Sequence, residues 1–149
     1  MSQFFGSHEN RLDVKGRVSV PASFRAALRG EAETVSLILR PSHIPGCIEA
    51  WPRTAYARWQ AALDALEDFD PKREALATLL YSEAFPVDTD AQGRIVIPAE
   101  LAEHAGLKEG VSFFGRGDHF HIWEPSAGAA FKKASRAMAP SFLIGRPVQ

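Results

Sequence analysis

The sequence predicts a mixed α+β fold made of two copies of one small β-β-α-β-β unit. Two observations predict it. The segment Asp13-Val14-Lys15-Gly16-Arg17-Val18-Ser19-Val20-Pro21-Ala22 recurs as Asp90-Ala91-Gln92-Gly93-Arg94-Ile95-Val96-Ile97-Pro98-Ala99, at a constant offset of 77 positions. Each copy is then followed by a short helical segment and two apolar runs separated by turn residues. Two copies make an internal duplication, since a solenoid needs at least about three units to bury its faces. A unit of about 45 residues buries little core alone, so the two are expected to pack together as a pseudo-dimer.

Each element has a local reason. Asp, two variable residues and Gly form a tight turn, in which Asp accepts from the backbone and Gly supplies a positive φ. Asp13, Gly16, Asp90 and Gly93 are therefore read as turn-formers. After the turn Val18 and Val20 alternate with Arg17 and Ser19, as Ile95 and Ile97 alternate with Arg94 and Val96. On a strand this sends the aliphatic residues inward and the Arg outward. Pro21 and Pro98 end the strands and open short helices, Ala22 to Arg29 and Ala99 to Ala105, which Gly30 and Gly106 stop. In the first half Val35–Leu39 is expected to pair with Cys47–Trp51 across the turn-rich Pro41–Gly46. In the second, Val111–Gly115 pairs with His119–Trp123 across Arg116-Gly117-Asp118.

Between the halves, Trp59, Leu63 and Leu66 make one apolar helical stripe, and Asp70-Pro71 caps a second helix carrying Leu76, Leu79 and Leu80. Ser126 is the expected cap of a helix through Phe131 and Ala134, with a loose tail from Pro140 to Gln149. The expected organisation is thus a first unit over 5–52, a helical linker over 53–81, a second unit over 82–125, and a C-terminal helix and tail over 126–149.

The chain has 149 residues, 46% hydrophobic and 23% charged, the balance of an ordinary globular protein. No apolar run is long enough to cross a bilayer, and no signal-peptide core is evident. The single cysteine, Cys47, has no partner for an intrachain disulfide and reads as a small buried hydrophobe. These features favour the cytoplasm.

The formal net charge of −1 argues by itself against nucleic-acid binding, but it hides an asymmetry. Residues 1–30 carry Arg11, Lys15, Arg17, Arg25 and Arg29 against Glu9 and Asp13, while residues 64–90 carry eight acidic side chains against Lys72 and Arg73. A basic N-terminal unit beside an acidic middle suggests one charged face.

With both Asp-x-x-Gly-Arg hairpins, Phe5-Gly6 at the start, and Gly106-Leu107 through Ile122-Trp123, the sequence resembles the MraZ family of bacterial regulators. The units of that family are SpoVT-AbrB-like, and the resemblance spans nearly the whole chain. It implies a double split β-barrel assembled from two swapped-hairpin ββαββ units with peripheral helices. It also implies sequence-specific binding, usually as an autoregulatory repressor, to repeated promoter motifs of the division and cell-wall gene cluster. The implied partners are double-stranded promoter DNA, in the nucleoid, and further copies of the chain in a ring, octameric or larger. No membrane, small-molecule substrate, metal or other cofactor is expected.

In such proteins the DNA face is built around the Asp-x-Lys-Gly-Arg hairpin, here Asp13, Lys15, Gly16 and Arg17. The second copy departs from the pattern, because Gln92 stands where Lys15 stands, although Arg94 keeps the other charge. Arg suits a two-bonded guanine contact and Lys a phosphate contact. The bland alternative is that Arg17 and Arg94 merely clamp Asp13 and Asp90. Arg11, Arg25 and Arg29 are candidate phosphate contacts or solvated surface charge.

His119 and His121 share a strand face at a spacing found in zinc sites, but no Cys or carboxylate nearby in the sequence completes a set. A half-exposed strand is the preferred reading. Trp51 and Trp123 are expected to anchor the two late hairpins. No enzyme motif is present, so catalysis is not expected. Two other readings remain open: an antitoxin-like module that binds DNA and a protein, and an oligomeric scaffold without specific DNA readout.

Overall fold

The computed structural model describes residues 3–29 and 35–144. The first half runs β1 (Ser7–Arg11), β2 (Arg17–Ser19), α1 (Ala22–Arg29), β3 (Ser36–Pro41) and β4 (Ile48–Pro52). The second half repeats that order with β5 (Phe85–Asp88), β6 (Arg94–Val96), α4 (Ala99–His104), β7 (Gly110–Gly115) and β8 (Phe120–Trp123). Between them lie α2 (Arg53–Asp64) and α3 (Pro71–Ala77), the latter running into a π-helical turn over Thr78–Ser82. The helix α5 (Pro125–Ile144) follows.

The fold is mixed α+β. Six strands form an open antiparallel sheet in the order β1-β7-β8-β4-β3-β5, and β2 and β6 form a separate two-stranded ribbon. The sheet does not close on itself. The halves interlock strand by strand: β1 pairs with β7, β5 with β3, and β4 with β8. In the ribbon Val18 faces Ile95, its own counterpart in the repeat, so an approximate two-fold relation passes between them. The ribbon ends cross over too, with Val20 N–H donating to the Gly93 carbonyl and Ile97 N–H to that of Gly16.

Alternation along the strands builds two apolar layers. Val18, Val20, Ile95 and Ile97 turn inward onto Phe4, Phe24, Leu37, Leu39, Phe113, Phe120 and Ile122 in the main core. Phe4 meets Phe24 and Phe120 edge-on, each at 5.3 Å between ring centroids. On β3 and β4, Ile38 and Trp51 point the other way and join Tyr56, Leu63 and Leu80 from the helical segment. Strands β3 and β4 are therefore buried on both faces, each large aliphatic side chain contributing about 1.5–3 kcal/mol. Asp70 caps α3 as expected, accepting from Lys72 N–H.

Three expectations need correction. The helix after β8 is capped by Glu124, whose carboxylate accepts from the backbone N–H groups of Ser126 and Ala127, and not by Ser126. A carboxylate one residue ahead of Pro125 reaches both orphan donors, which also suits the positive end of the helix dipole. That helix continues through Pro140 to Ile144, where a loose tail was expected; residues 145–149 of that expected tail lie outside the described residues. Strand β8 is buried along its whole length, not half-exposed, because α5 covers its second face, where Phe131 stacks on Trp123 at 4.8 Å and meets the His121 ring edge-on. The predicted helix stop at Gly30 also lies outside the described residues.

Candidate nucleic-acid interface

The two Asp-x-x-Gly-Arg segments fold into nearly identical turns. In the first, Asp13 Oδ1 accepts from the backbone N–H groups of Lys15 and Arg17 at 2.9 and 2.8 Å, and Oδ2 accepts from Arg17 Nε at 2.7 Å. In the second, Asp90 Oδ1 accepts from Gln92 and Arg94 N–H, both at 2.9 Å, and Oδ2 from Arg94 Nε at 2.9 Å. Gly16 and Gly93 close the turns at φ of +81° and +77°, a region that a side chain resists. One carboxylate thus shapes the backbone and orients the Arg.

Backbone donation from Arg17 is the main influence on Asp13, and from Arg94 on Asp90; both outweigh a smaller opposing effect of burial. With the Arg side chains and the Lys15 and Gln92 N–H groups adding to it, both carboxyls lie below their ordinary range.

The antiparallel ribbon sets the turns at its opposite ends. Arg17 pairs with Val96 and Ser19 with Arg94, so the two Arg residues stand about 7 Å apart along the strand direction. Val18 and Ile95 are buried beneath, which leaves Arg17, Ser19, Arg94 and Val96 on the outer face. Lys15 and Val14 are exposed at the tip of the first turn.

The turns differ in what holds the guanidinium. Arg94 is gripped twice, by Asp90 and by Gln92 Oε1, which accepts from Nη2 at 2.7 Å. Lys15 offers no acceptor at the equivalent place. Arg17 is held only through Nε, and its two outer nitrogens have no protein partner among the described residues.

Arg25 belongs to the second turn. It donates from Nε to the Val20 carbonyl at 3.0 Å, and its guanidinium lies where a side chain on Gly93 would go. Arg29 lies in the same region, beside Asp90 and Gly93. Arg11 ends β1, two residues before the first turn, in a groove of mixed charge with Glu9, Lys108, Glu109 and Glu124. Lys15, Arg17 and Arg11 therefore lie at one turn, and Arg25, Arg29 and Arg94 at the other.

A second polar cluster joins His119 and His121 to residues that the sequence reading did not connect with them. Arg40 and Glu49 face each other on β3 and β4 and are both buried, with Arg40 Nε and Nη2 donating to Glu49 Oε1 at 3.1 and 3.0 Å. Trp51 Nε1 donates to the same oxygen at 2.9 Å, and Ser42 Oγ donates to Oε2 at 2.9 Å. The Arg40 guanidinium packs over Trp51, Tyr56 and Trp59.

Opposite Glu49 on β8 stands His121, only 2% exposed, with Nδ1 unpaired. His119 stacks flat on Trp51 at 4.0 Å and is hydrogen-bonded through Nδ1 to Asp118. Burial opposes ionisation of Glu49, but donations from Trp51, Arg40 and Ser42 prevail and hold its carboxyl below the usual range. Burial first, then the Arg116 and His119 charges, push His121 down to about 4, so it is a neutral imidazole. Burial chiefly raises the Cys47 thiol to about 12, which keeps it protonated. Only the His119–His121 spacing was legible in the sequence, because strand pairing across the halves brings β8 beside β4 and the Arg40–Glu49 pair.

No helix among the described residues is long and apolar enough to cross a membrane. The family described as "MraZ protein, putative antitoxin-like" matches residues 3–79 and 80–140. Among curated relatives, a protein of Gluconacetobacter diazotrophicus named "Transcriptional regulator MraZ" is 48% identical, covering 100% of this chain and 94% of the relative. A protein of the same name from Gluconobacter oxydans is 47% identical over 98% of this chain and 90% of its own length. A third, from Pelagibacter ubique, is 39% identical over 91% and 87%. By both the family match and these full-length likenesses, the chain belongs to the MraZ family.

Proposed function

We propose that this chain is a sequence-specific DNA-binding transcriptional regulator that acts, usually as an autoregulatory repressor, on repeated promoter motifs of the division and cell-wall gene cluster. The observation that carries the reading is the outer face of the β2–β6 ribbon. There Arg17 is oriented by Asp13 yet has no partner for either outer guanidinium nitrogen among the described residues, beside an exposed Lys15. A two-stranded ribbon fits the major groove, and a free guanidinium fork matches guanine O6 and N7.

In this reading Arg17 reads a base, Lys15 and Arg11 bind phosphate, and Arg94 and Arg25 contribute less because they already hold the second turn. Asp13, Gly16, Asp90 and Gly93 shape the turns and do not touch DNA. The units span 5–52 and 82–125, joined by the helical linker over 53–81, with 126–149 as a C-terminal extension. The exchange of strands between halves supports a double split barrel of swapped hairpins. Exposed Phe5, Phe69, Phe142 and Leu143 support assembly into a ring, which multiplies weak DNA sites. The protein then resides on the nucleoid. The names carried by the relatives support transcriptional regulation.

A mobility-shift titration with the DNA upstream of the chain's own gene tests this. Saturable retention that survives excess unrelated DNA is expected; retention removed equally by any duplex would sink sequence-specific readout.

A further inference from the structure

We propose that Glu49, His119 and His121 form a binding site for a first-row divalent transition metal, zinc foremost. One donor atom from each lies within 4.8 Å of the others, on two adjacent strands whose register sets Glu49 directly across from His121. Tetrahedral ligation at about 2.0–2.2 Å sets donor atoms roughly 3.4 Å apart, so the three side chains must draw together around the ion.

The second line of support is the state of the ligands. His121 is almost wholly buried, and its Nδ1 is one of three buried side-chain nitrogens, with Arg40 Nη1 and Trp123 Nε1, that have no hydrogen-bond partner among the described residues; of the three only the imidazole nitrogen can ligate a metal. His119 is prepared in the way metal-bound imidazoles are. Its Nδ1 is hydrogen-bonded to Asp118 at 2.8 Å, Asp118 is anchored by Arg58, and the ring is fixed flat on Trp51, which leaves Nε2 without a hydrogen-bond partner among the described residues. A carboxylate behind a histidine fixes its tautomer and raises its basicity as a ligand. Glu49 keeps Oε2 available, because Arg40 and Trp51 both donate to Oε1 and only Ser42 donates to Oε2.

The fourth position faces the β3–β4 loop. There His43 Nδ1 stands 3.9 Å from Glu49 Oε2 on a largely exposed side chain, so His43 or a water molecule completes the set. Two imidazoles and one carboxylate suit zinc or cobalt. Magnesium and calcium demand several oxygen ligands, and here the one carboxylate is already shared with Arg40. The Arg40 and Arg116 charges nearby weaken binding of any cation and further disfavour hard ones. Bound metal would tie β4, β8 and the β3–β4 loop together and stabilise the folded chain by mass action.

The test uses untagged full-length protein freed of metal by a chelator, titrated with zinc chloride against a chromophoric zinc indicator and with cobalt chloride by visible absorption. One equivalent per chain, a cobalt ligand-field band, and a melting midpoint that rises with zinc but not with magnesium are expected. His119→Gln and His121→Phe, each checked by a metal-free melting curve, should weaken zinc binding at least tenfold. His119→Gln alters a partly accessible ring and guards against failure of the buried variant to fold. Absence of stoichiometric zinc binding, an equal response to magnesium, or binding that survives His119→Gln in a folded variant would overturn the site.

Discussion

Replacing Arg17 by Ala separates the shaping of the first turn from recognition. Asp13 keeps its two backbone donors, at 2.9 and 2.8 Å, because they belong to the main chain of residues 15 and 17. The Asp13 N–H to Arg17 carbonyl bond and the Gly16 N–H to Asp13 carbonyl bond survive for the same reason. Only the partly exposed Nε contact is lost, so the melting midpoint should hardly move. On DNA the change removes a fork whose two outer nitrogens have no partner among the described residues, and a bidentate base contact is worth about 1–3 kcal/mol, or about 5- to 150-fold per engaged site. In an assembly that engages several sites together the losses multiply.

Arg94→Ala is the matched control, since that guanidinium is already tied to Asp90 and Gln92; its loss should stay below about fivefold, under the base-contact range. The assay is a promoter titration by fluorescence anisotropy for the parent, Arg17→Ala, Arg17→Lys and Arg94→Ala, each paired with a melting curve. Arg17→Lys keeps the charge but not the fork, so it should retain non-specific affinity and lose discrimination. Equal losses for Arg17→Ala and Arg94→Ala would refute the argument from the unpaired nitrogens. Unchanged affinity in Arg17→Ala would remove Arg17 from the interface altogether.

Further expectations concern charge, packing, acid and assembly. Lys15→Ala should weaken all duplexes alike and reduce the slope of log affinity against log salt by about 0.9 per engaged subunit; a slope equal to the parent's removes Lys15 from the phosphate contacts. Gly115→Ala should destabilise by about 1–3 kcal/mol in a urea titration, because the added methyl meets the Phe4 carbonyl and main chain, which cannot swing aside like a side chain. The Asp13 and Asp90 carboxyls are depressed below 3.8 in the fold, so their contribution is complete above that value and lost as pH falls through their lower folded values. Melting curves over that acid range should fall more gently for the Asp13→Asn, Asp90→Asn double variant than for the parent. Sedimentation should report a species well above the 16.3 kDa chain, and a monodisperse monomer at micromolar concentration would end the multivalent reading.

The sequence by itself determined the duplication, the element order of each half and the chemistry of both turns. These are local matters: Asp and Gly at fixed spacing impose a turn, alternation of Val or Ile imposes a strand face, and Pro with Ala opens a helix. Each is decided within a few residues of backbone geometry. It also showed Lys15 replaced by Gln92 in the second copy, but not the consequence. That depended on rotamers, which let Gln92 hold Arg94 a second time and left Arg17 held by Asp13 alone among the described residues.

Tertiary structure alone decided which strands pair across the halves, and with it what lies beneath the sheet's second face. An alternating strand reads as half-exposed until its other face is covered, and only packing brings α2 over β3 and β4 and α5 over β8. That covering converts Arg40, Glu49 and His121 from apparent surface residues into a buried polar cluster. Glu49 and His121 are separated by most of a repeat in sequence, yet lie opposite each other because β4 and β8 meet across the approximate two-fold. In one dimension only the His119–His121 spacing is visible; the carboxylate that joins them arrives by strand pairing.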